Sequence, residues 1–265
     1  MARNSPTSII IYNQCPRLYY HIYKEKREAR PNIIFIKGNV VHKALESFFS
    51  EEPPLFEKNY QFWAAKTLKK MFMRAWNGKK NEIAKLRMSK EELKEHYEEC
   101  WDMLNHWLQD FLKRIEQTGD NFQSAFNKLK PITEDECYLE EYDTKGFIDA
   151  IENVNGEIRI IDYKTSSKFE ITKEYKLQLA IYALLYEKKY GRKPDKVGIY
   201  FLKERLHLIS VDDAMLKYAE EQCKKVFEKT KSDDIKDYPQ NEGYLCKQLK
   251  EKCPCHEYEQ ETEDS

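Results

Sequence analysis

The sequence predicts an α/β domain carrying an all-helical insertion, and three observations predict it. Helical apolar spacing fills the first half of the chain, short strands take over from residue 137, and one helix separates the earlier strands from the later ones. The resulting order is helices, three strands, helix, two strands, helix.

Each element has a local reason. Residues 8–25 place Ile9, Ile10, Tyr12 and Leu18 among polar Arg17 and Lys24, as a helix would. Gly38 to Phe49 repeats the pattern, with Val41, Leu45, Phe48 and Phe49 forming a stripe that Glu51-Glu52-Pro53-Pro54 ends. Residues 55–118 read as helical throughout. Within them, Ser89-Lys90-Glu91-Glu92 is a capping box, and Trp101, Leu104, Leu108, Phe111 and Leu112 follow at helical spacing. Cys137 to Glu141, Lys145 to Glu152 and Glu157 to Tyr163 read as strands, the last two joined by the turn Asn153-Val154-Asn155-Gly156. Lys173 to Tyr190 is a helix, Val197 to Leu202 and Leu206 to Val211 form a hairpin, and Asp212 caps a final helix reaching about residue 230.

The 265 residues, 41% of them apolar, suit one domain over residues 1–256 with its insertion at about 55–118; the acidic stretch 257–265 is a tail. Forty-five basic and 46 acidic side chains leave a net charge of −1, which neither advertises nor excludes a nucleic-acid partner. No run of about 18 apolar residues exists, so no membrane contact is expected. The first residues lack a signal peptide's apolar stretch, and seven cysteines, an odd number, suit a reducing compartment. An intracellular protein is expected.

The densest chemistry lies in Gly146-Phe147-Ile148-Asp149 and Asp162-Tyr163-Lys164. Antiparallel pairing of consecutive strands brings Asp149 and Asp162 together. Asp162 and Lys164, two residues apart, point to one face. Burying two carboxylates and a lysine is costly unless a cation joins them, and oxygen ligands suit Mg²⁺ or Mn²⁺. Lys164 would then orient the attacking water, help deprotonate it and offset phosphate charge. The plain alternative is a solvated, salt-bridged sheet edge. His42 sits on a helix after Gly38, with Glu46 one turn further on, and offers an imidazole ligand. Gln178 and Tyr182 share a helix face just after the lysine strand.

Taken in order, Gly38/His42, Asp149, Asp162/Lys164 and Gln178/Tyr182 resemble the motif series of RecB-like nucleases of the PD-(D/E)XK superfamily. The likeness runs from residue 8 to about 255. It implies the restriction-endonuclease-like core of that superfamily, a mixed central sheet flanked by helices. It also implies metal ligation by His42, Asp149, Asp162 and the backbone carbonyl of Tyr163, with Lys164 as the catalytic lysine. Gln178 and Tyr182 would support the site or touch the DNA strand.

Cys15 precedes these motifs, and Cys246, Cys253 and Cys255 follow them. This layout resembles the four-cysteine subgroup that holds an iron–sulfur cluster, which includes CRISPR-associated exonucleases and AddB-type nucleases. The resemblance implies a [4Fe–4S] cluster, with zinc as the alternative and His256 as a spare ligand. The spacing Cys-x6-Cys-x-Cys reverses the family's usual order. Such a site would staple the chain ends together. Cys100, Cys137 and Cys223 fall inside regular elements and read as small buried residues.

Arg17, Tyr20, Lys168 and Lys176 belong to a basic and aromatic set expected to meet nucleic acid, because phosphates attract cations and unpaired bases stack on rings. No helix-turn-helix or zinc-finger pattern is present, so ends or single strands are expected rather than a base sequence. The reading is a metal-dependent deoxyribonuclease, an exonuclease acting on single-stranded or processed ends in repair, recombination or CRISPR adaptation. A helicase or integrase-type partner is compatible with it. The contrasting readings are a silent DNA-end-binding scaffold and a partner-dependent subunit of a helicase–nuclease complex.

Overall fold

A computed structural model describes residues 3–27, 31–54, 59–243, 246 and 253. Among these, β1 (Ile132–Leu139), β2 (Thr144–Val154), β3 (Glu157–Lys164), β4 (Lys196–Phe201) and β5 (Leu206–Ser210) form one sheet in that order. All neighbours are antiparallel except β3 and β4. A parallel pair needs a crossover, and the helix α8 (Lys173–Tyr190) supplies it. Thr172 caps its first turn, and Gly191 ends it at φ 70, the left-handed conformation a glycine adopts without steric cost.

Each face of the sheet carries its own core. On one side Ile148, Ile158, Ile160, Val197, Ile199 and Phe201 pack with α8, α1 (Pro6–Gln14) and α9 (Asp213–Lys229). On the other, Ala150, Ile161, Tyr163, Tyr200 and Leu202 pack under α3 (Ile33–Phe48) and the helical block α4 (Tyr60–Gly78), α5 (Lys80–Ala84), α6 (Lys90–Thr118) and α7 (Phe122–Leu129). Helices on both faces of a mixed sheet make the fold α/β, as the sequence predicts. Ser89 and Glu92 form the expected capping box at the start of α6.

Several boundaries differ from expectation, and α7 stands where no element is expected. The helix expected over 8–25 breaks at Cys15, which is extended at φ −158 and ψ 104 because Pro16 disfavours a helical residue before it. The chain resumes as α2 (Pro16–Tyr19) and a π-helical turn, Tyr20–Lys24. The helix bearing His42 starts at Ile33, capped by Asn32, earlier than Gly38. β1 begins at Ile132 and not Cys137, since its first half is only partly buried and shows no apolar alternation. The tail 257–265 lies outside the described residues.

Candidate metal and catalytic site

The ladder between β1 and β2 skips one pair, Glu134 opposite Asp149. Glu134 has φ 51, and the alternation along β2 slips there, since Ile148 and Ile151 both join the α8-side core. The β2–β3 ladder stops at Ala150 and Ile161, one residue short of Asp149 and Asp162. β2 and β3 therefore part at these acids, while Asp162 stays paired with Ile199 of β4. The Tyr163 N–H donates to Asp149 Oδ2 at 2.8 Å, which fixes that carboxylate across the gap.

His42 reaches the gap from α3. Its Nε2 donates to the Tyr163 carbonyl oxygen at 2.8 Å, and its Nδ1 lies 3.3 Å from Asp149 Oδ2. Burial alone would lower the imidazole pKa, but the Asp149 carboxylate overrides it and holds His42 at about 9. The Tyr163 ring points the other way, into the core under the insertion, while its carbonyl faces the site. Ligand atoms of His42, Glu134 and Asp149 all lie within 4.8 Å of one another. Burial, then the Asp149 charge, raises the Glu134 carboxyl above its usual range.

Asp162 is 2% exposed. Its Oδ2 lies 2.8 Å from Lys164 Nζ, an ion pair by distance, yet no well-directed hydrogen bond reaches that oxygen. Burial raises its pKa, and Lys164 opposes the rise. The same pair keeps Lys164 above its ordinary value, although burial alone would depress it. Lys164 Nζ also donates to Gln178 Oε1 at 3.0 Å, and Gln178 Nε2 donates to the Tyr182 hydroxyl at 3.3 Å. Close packing of α8 on β2 makes this relay possible. A Cβ at Gly146 would meet Leu185 at 2.8 Å and Tyr182 at 3.2 Å.

A cleft of about 840 Å³ opens over these groups; His42, Glu134, Asp149, Tyr163, Lys164 and Tyr182 all line it. The donor set fits a hard divalent cation: two carboxylates, an imidazole and a backbone carbonyl converge, and a buried carboxylate oxygen beside them lacks a directed partner. Asp162 and Lys164 approach from the α8 side of β3, and Gln178 lies behind the lysine, almost buried.

Glu134 was not legible as a site residue. It lies in the acidic run Glu134-Asp135-Glu136, where no periodicity marks a strand. The left-handed backbone at Glu134 and its place opposite Asp149 single it out only in three dimensions.

The expected nucleic-acid residues scatter. Arg17 Nε donates to the Tyr238 carbonyl at 2.7 Å, and the Tyr20 hydroxyl to the Asp233 carbonyl at 3.1 Å, so both brace the segment after α9 and do not line the cleft. Lys168 and Lys176 are exposed and lie outside the lining as well.

Cys15 and Cys253 share a small buried cluster with Leu18. Burial raises the Cys246 thiol pKa, and Cys253 and Cys15 add to the rise, but among the described residues the three sulfurs do not gather within the 4.8 Å that unites His42, Glu134 and Asp149. Cys255 lies outside the described residues. Burial pushes the thiols of Cys100, Cys137 and Cys223 up to about 12, as suits inert packing residues.

A mixed sheet whose strands part over carboxylates, an imidazole and an ammonium is the frame of a metal-assisted hydrolytic centre. The chain belongs to the PD-(D/E)XK nuclease superfamily, whose family model matches residues 3–258. A crystal structure from Eubacterium rectale, provisionally described as an exonuclease, superposes with TM-score 0.51 over 93% of this chain and 88% of that one. At 13% identity that likeness shows the fold. The Gene 69 protein of Mycobacterium phage L5 is 32% identical over 96 residues, which cover 36% of this chain and 29% of that protein. Among the described residues, no helix is long and apolar enough to cross a membrane.

Proposed function

We propose that the protein is a Mg²⁺- or Mn²⁺-dependent deoxyribonuclease that trims single-stranded or processed DNA ends. The observation that carries this reading is the meeting of His42, Glu134, Asp149 and the Tyr163 carbonyl beside the buried Asp162–Lys164 pair. His42, Glu134, Asp149 and the Tyr163 carbonyl would hold the cation, and Asp162, outside that group of ligand atoms and paired with Lys164, would be the further carboxylate beside it. When bound, the cation supplies Lewis-acid stabilisation of charge developing on the phosphate and lowers the pKa of water.

The chain's own groups do the rest. Lys164 is kept charged by Asp162 and aimed by Gln178, so it meets the phosphate as an ammonium and offsets its charge. Tyr182 fixes the Gln178 amide and so the lysine behind it. Gln178 and Tyr182, each 8% exposed, act as positioning residues. Cys15, Cys246 and Cys253, with Cys255 from the sequence pattern, would hold a [4Fe–4S] cluster, or zinc, and so fasten the two ends of the domain. The shared buried cluster of Cys15 and Cys253, whose charges would also reach Cys246, supports this part of the reading. Trimming of ends suits DNA repair, recombination or CRISPR adaptation, with a helicase or integrase-type protein delivering the strand.

The test is cleavage of 5′- and 3′-labelled DNA with Mg²⁺ or Mn²⁺, comparing wild type with Asp162→Ala. Metal-dependent shortening from one end by wild type alone is expected, and equal cleavage by both proteins refutes the assignment. Anaerobically purified protein should be brown, with iron and sulfide in matched amounts; a colourless protein carrying zinc removes the cluster.

A further inference from the structure

The cleft holds apolar side chains that its charged floor does not explain. Phe35 is 67% exposed and Ile34 64%, both on the first turn of α3, and Phe147 on β2 is 44% exposed. All three line the same cleft as His42, Asp149 and Lys164. None is needed by the core. The buried face of α3 is filled by Ile36, Val40, Val41, Ala44, Leu45 and Phe48.

Their placement is tied to the ligands. Phe35 precedes His42 by seven residues, two helical turns, so the two side chains share one face of α3 about 10 Å apart along the axis. Phe147 precedes Asp149 by two residues, about 7 Å along the strand. The two rings thus share the cleft with the candidate metal ligands and come from two different elements. Cations are interleaved with them: Arg3, Lys43, Lys145 and Lys164 line the cleft, and Lys145 Nζ stands 4.9 Å from the centroid of the Phe147 ring while paired with Glu136.

The geometry points to Phe35 and Phe147 as stacking platforms for unpaired bases next to the reacting phosphate, which makes a single strand the preferred occupant of the cleft. This rests on the nuclease reading above and narrows its substrate. Aromatic rings between cations recognise single strands because every base has a π-face, whatever its identity. Bases in a duplex present only their edges to the grooves, so exposed rings gain little from a paired end. The cations track the phosphates on which the bases hang.

The test measures binding by fluorescence anisotropy, with a labelled thymidine oligonucleotide and a duplex of equal length, in Ca²⁺ and at one fixed salt concentration. Proteins compared are wild type, Phe35→Ala, Phe147→Ala and the two tyrosine replacements. Both rings are exposed, so circular dichroism should show every variant folded. Each alanine is expected to weaken single-strand binding about 5- to 100-fold, the scale of one base–aromatic stack. Tyrosine should restore binding, and duplex affinity should stay within about twofold. A strand with abasic sites should bind wild type as weakly as the intact strand binds the alanine variants.

Unchanged single-strand affinity in both alanine variants overturns the proposal. So does equal loss on strand and duplex, an alanine effect that survives on the abasic strand, or a wild type that binds no single strand. Cleavage assays on the same proteins keep the two readings apart. A wild type that cuts DNA while Phe35→Ala and Phe147→Ala bind normally sinks the stacking alone. A protein that never cuts but binds strands through these rings sinks the nuclease.

Discussion

Glu134 and Asp149 face each other across β1 and β2 at the position where the ladder omits a pair, and Glu134 adopts φ 51 there. A non-glycine residue in that conformation costs about 1–3 kcal/mol unless its surroundings hold it. Burial raises the Glu134 pKa, and repulsion from the facing Asp149 carboxylate adds to the rise. A divalent cation relieves that repulsion. Glu134→Gln should therefore weaken Mn²⁺ binding by about 10- to 100-fold in calorimetric titration, while leaving thermal stability without metal equal or higher. Unaltered affinity would remove Glu134 from the ligand set.

Lys164 and Asp162 are set to fail differently. Lys164→Met should slow cleavage by roughly 10²–10³-fold, the scale for one preorganised charge, with little change in Mn²⁺ affinity. Asp162→Asn should lower both. Single-turnover rates at saturating metal separate the two, and a Lys164→Met protein that cleaves normally would falsify its assigned role.

Glu99 on α6 clasps Lys37 of α3 and Lys203 beyond β4 with its two oxygens, and Lys203 also donates to Ser167 Oγ at 3.0 Å. Burial on its own would raise this carboxyl, but the hydrogen bonds and charges of Lys203 and Lys37 pull it down to about 2, from an ordinary 4.5. A depressed carboxyl contributes stability that is fully present above about pH 4.5 and is lost as pH falls through about 2. Glu99→Gln should cost about 1 kcal/mol at pH 7, a figure discounted for its partial exposure, and the gap from wild type should close near pH 2. Denaturant titrations at pH 7, 4 and 2 check it. A gap that stays constant with pH rules the ion pairs out as its source.

Arg114 of α6 donates to Glu152 of β2 at 2.7 Å, and Glu152 is 5% exposed. Removing the arginine leaves a buried carboxylate without its counter-charge, at a cost of about 3–5 kcal/mol. Arg114→Met should lower the unfolding midpoint markedly, and Arg114→Met with Glu152→Leu should recover most of the loss. A single variant as stable as wild type would show that water already reaches Glu152.

The sequence by itself determined the α/β class, the order of the strands with the helices that follow them and the capping box of α6, and it offered His42, Asp149, Asp162, Lys164, Gln178 and Tyr182 as candidates in their order along the chain. These are local or ordered features, written in side-chain periodicity and spacing, and a one-dimensional string carries both. Tertiary structure alone decided that Glu134 stands opposite Asp149, that Arg17 and Tyr20 turn away from the cleft, and that Phe35 and Phe147 turn toward it. Each of these depends on where strands part or on which helix face is covered. That is set by contacts between residues far apart in the chain, and no local pattern records them.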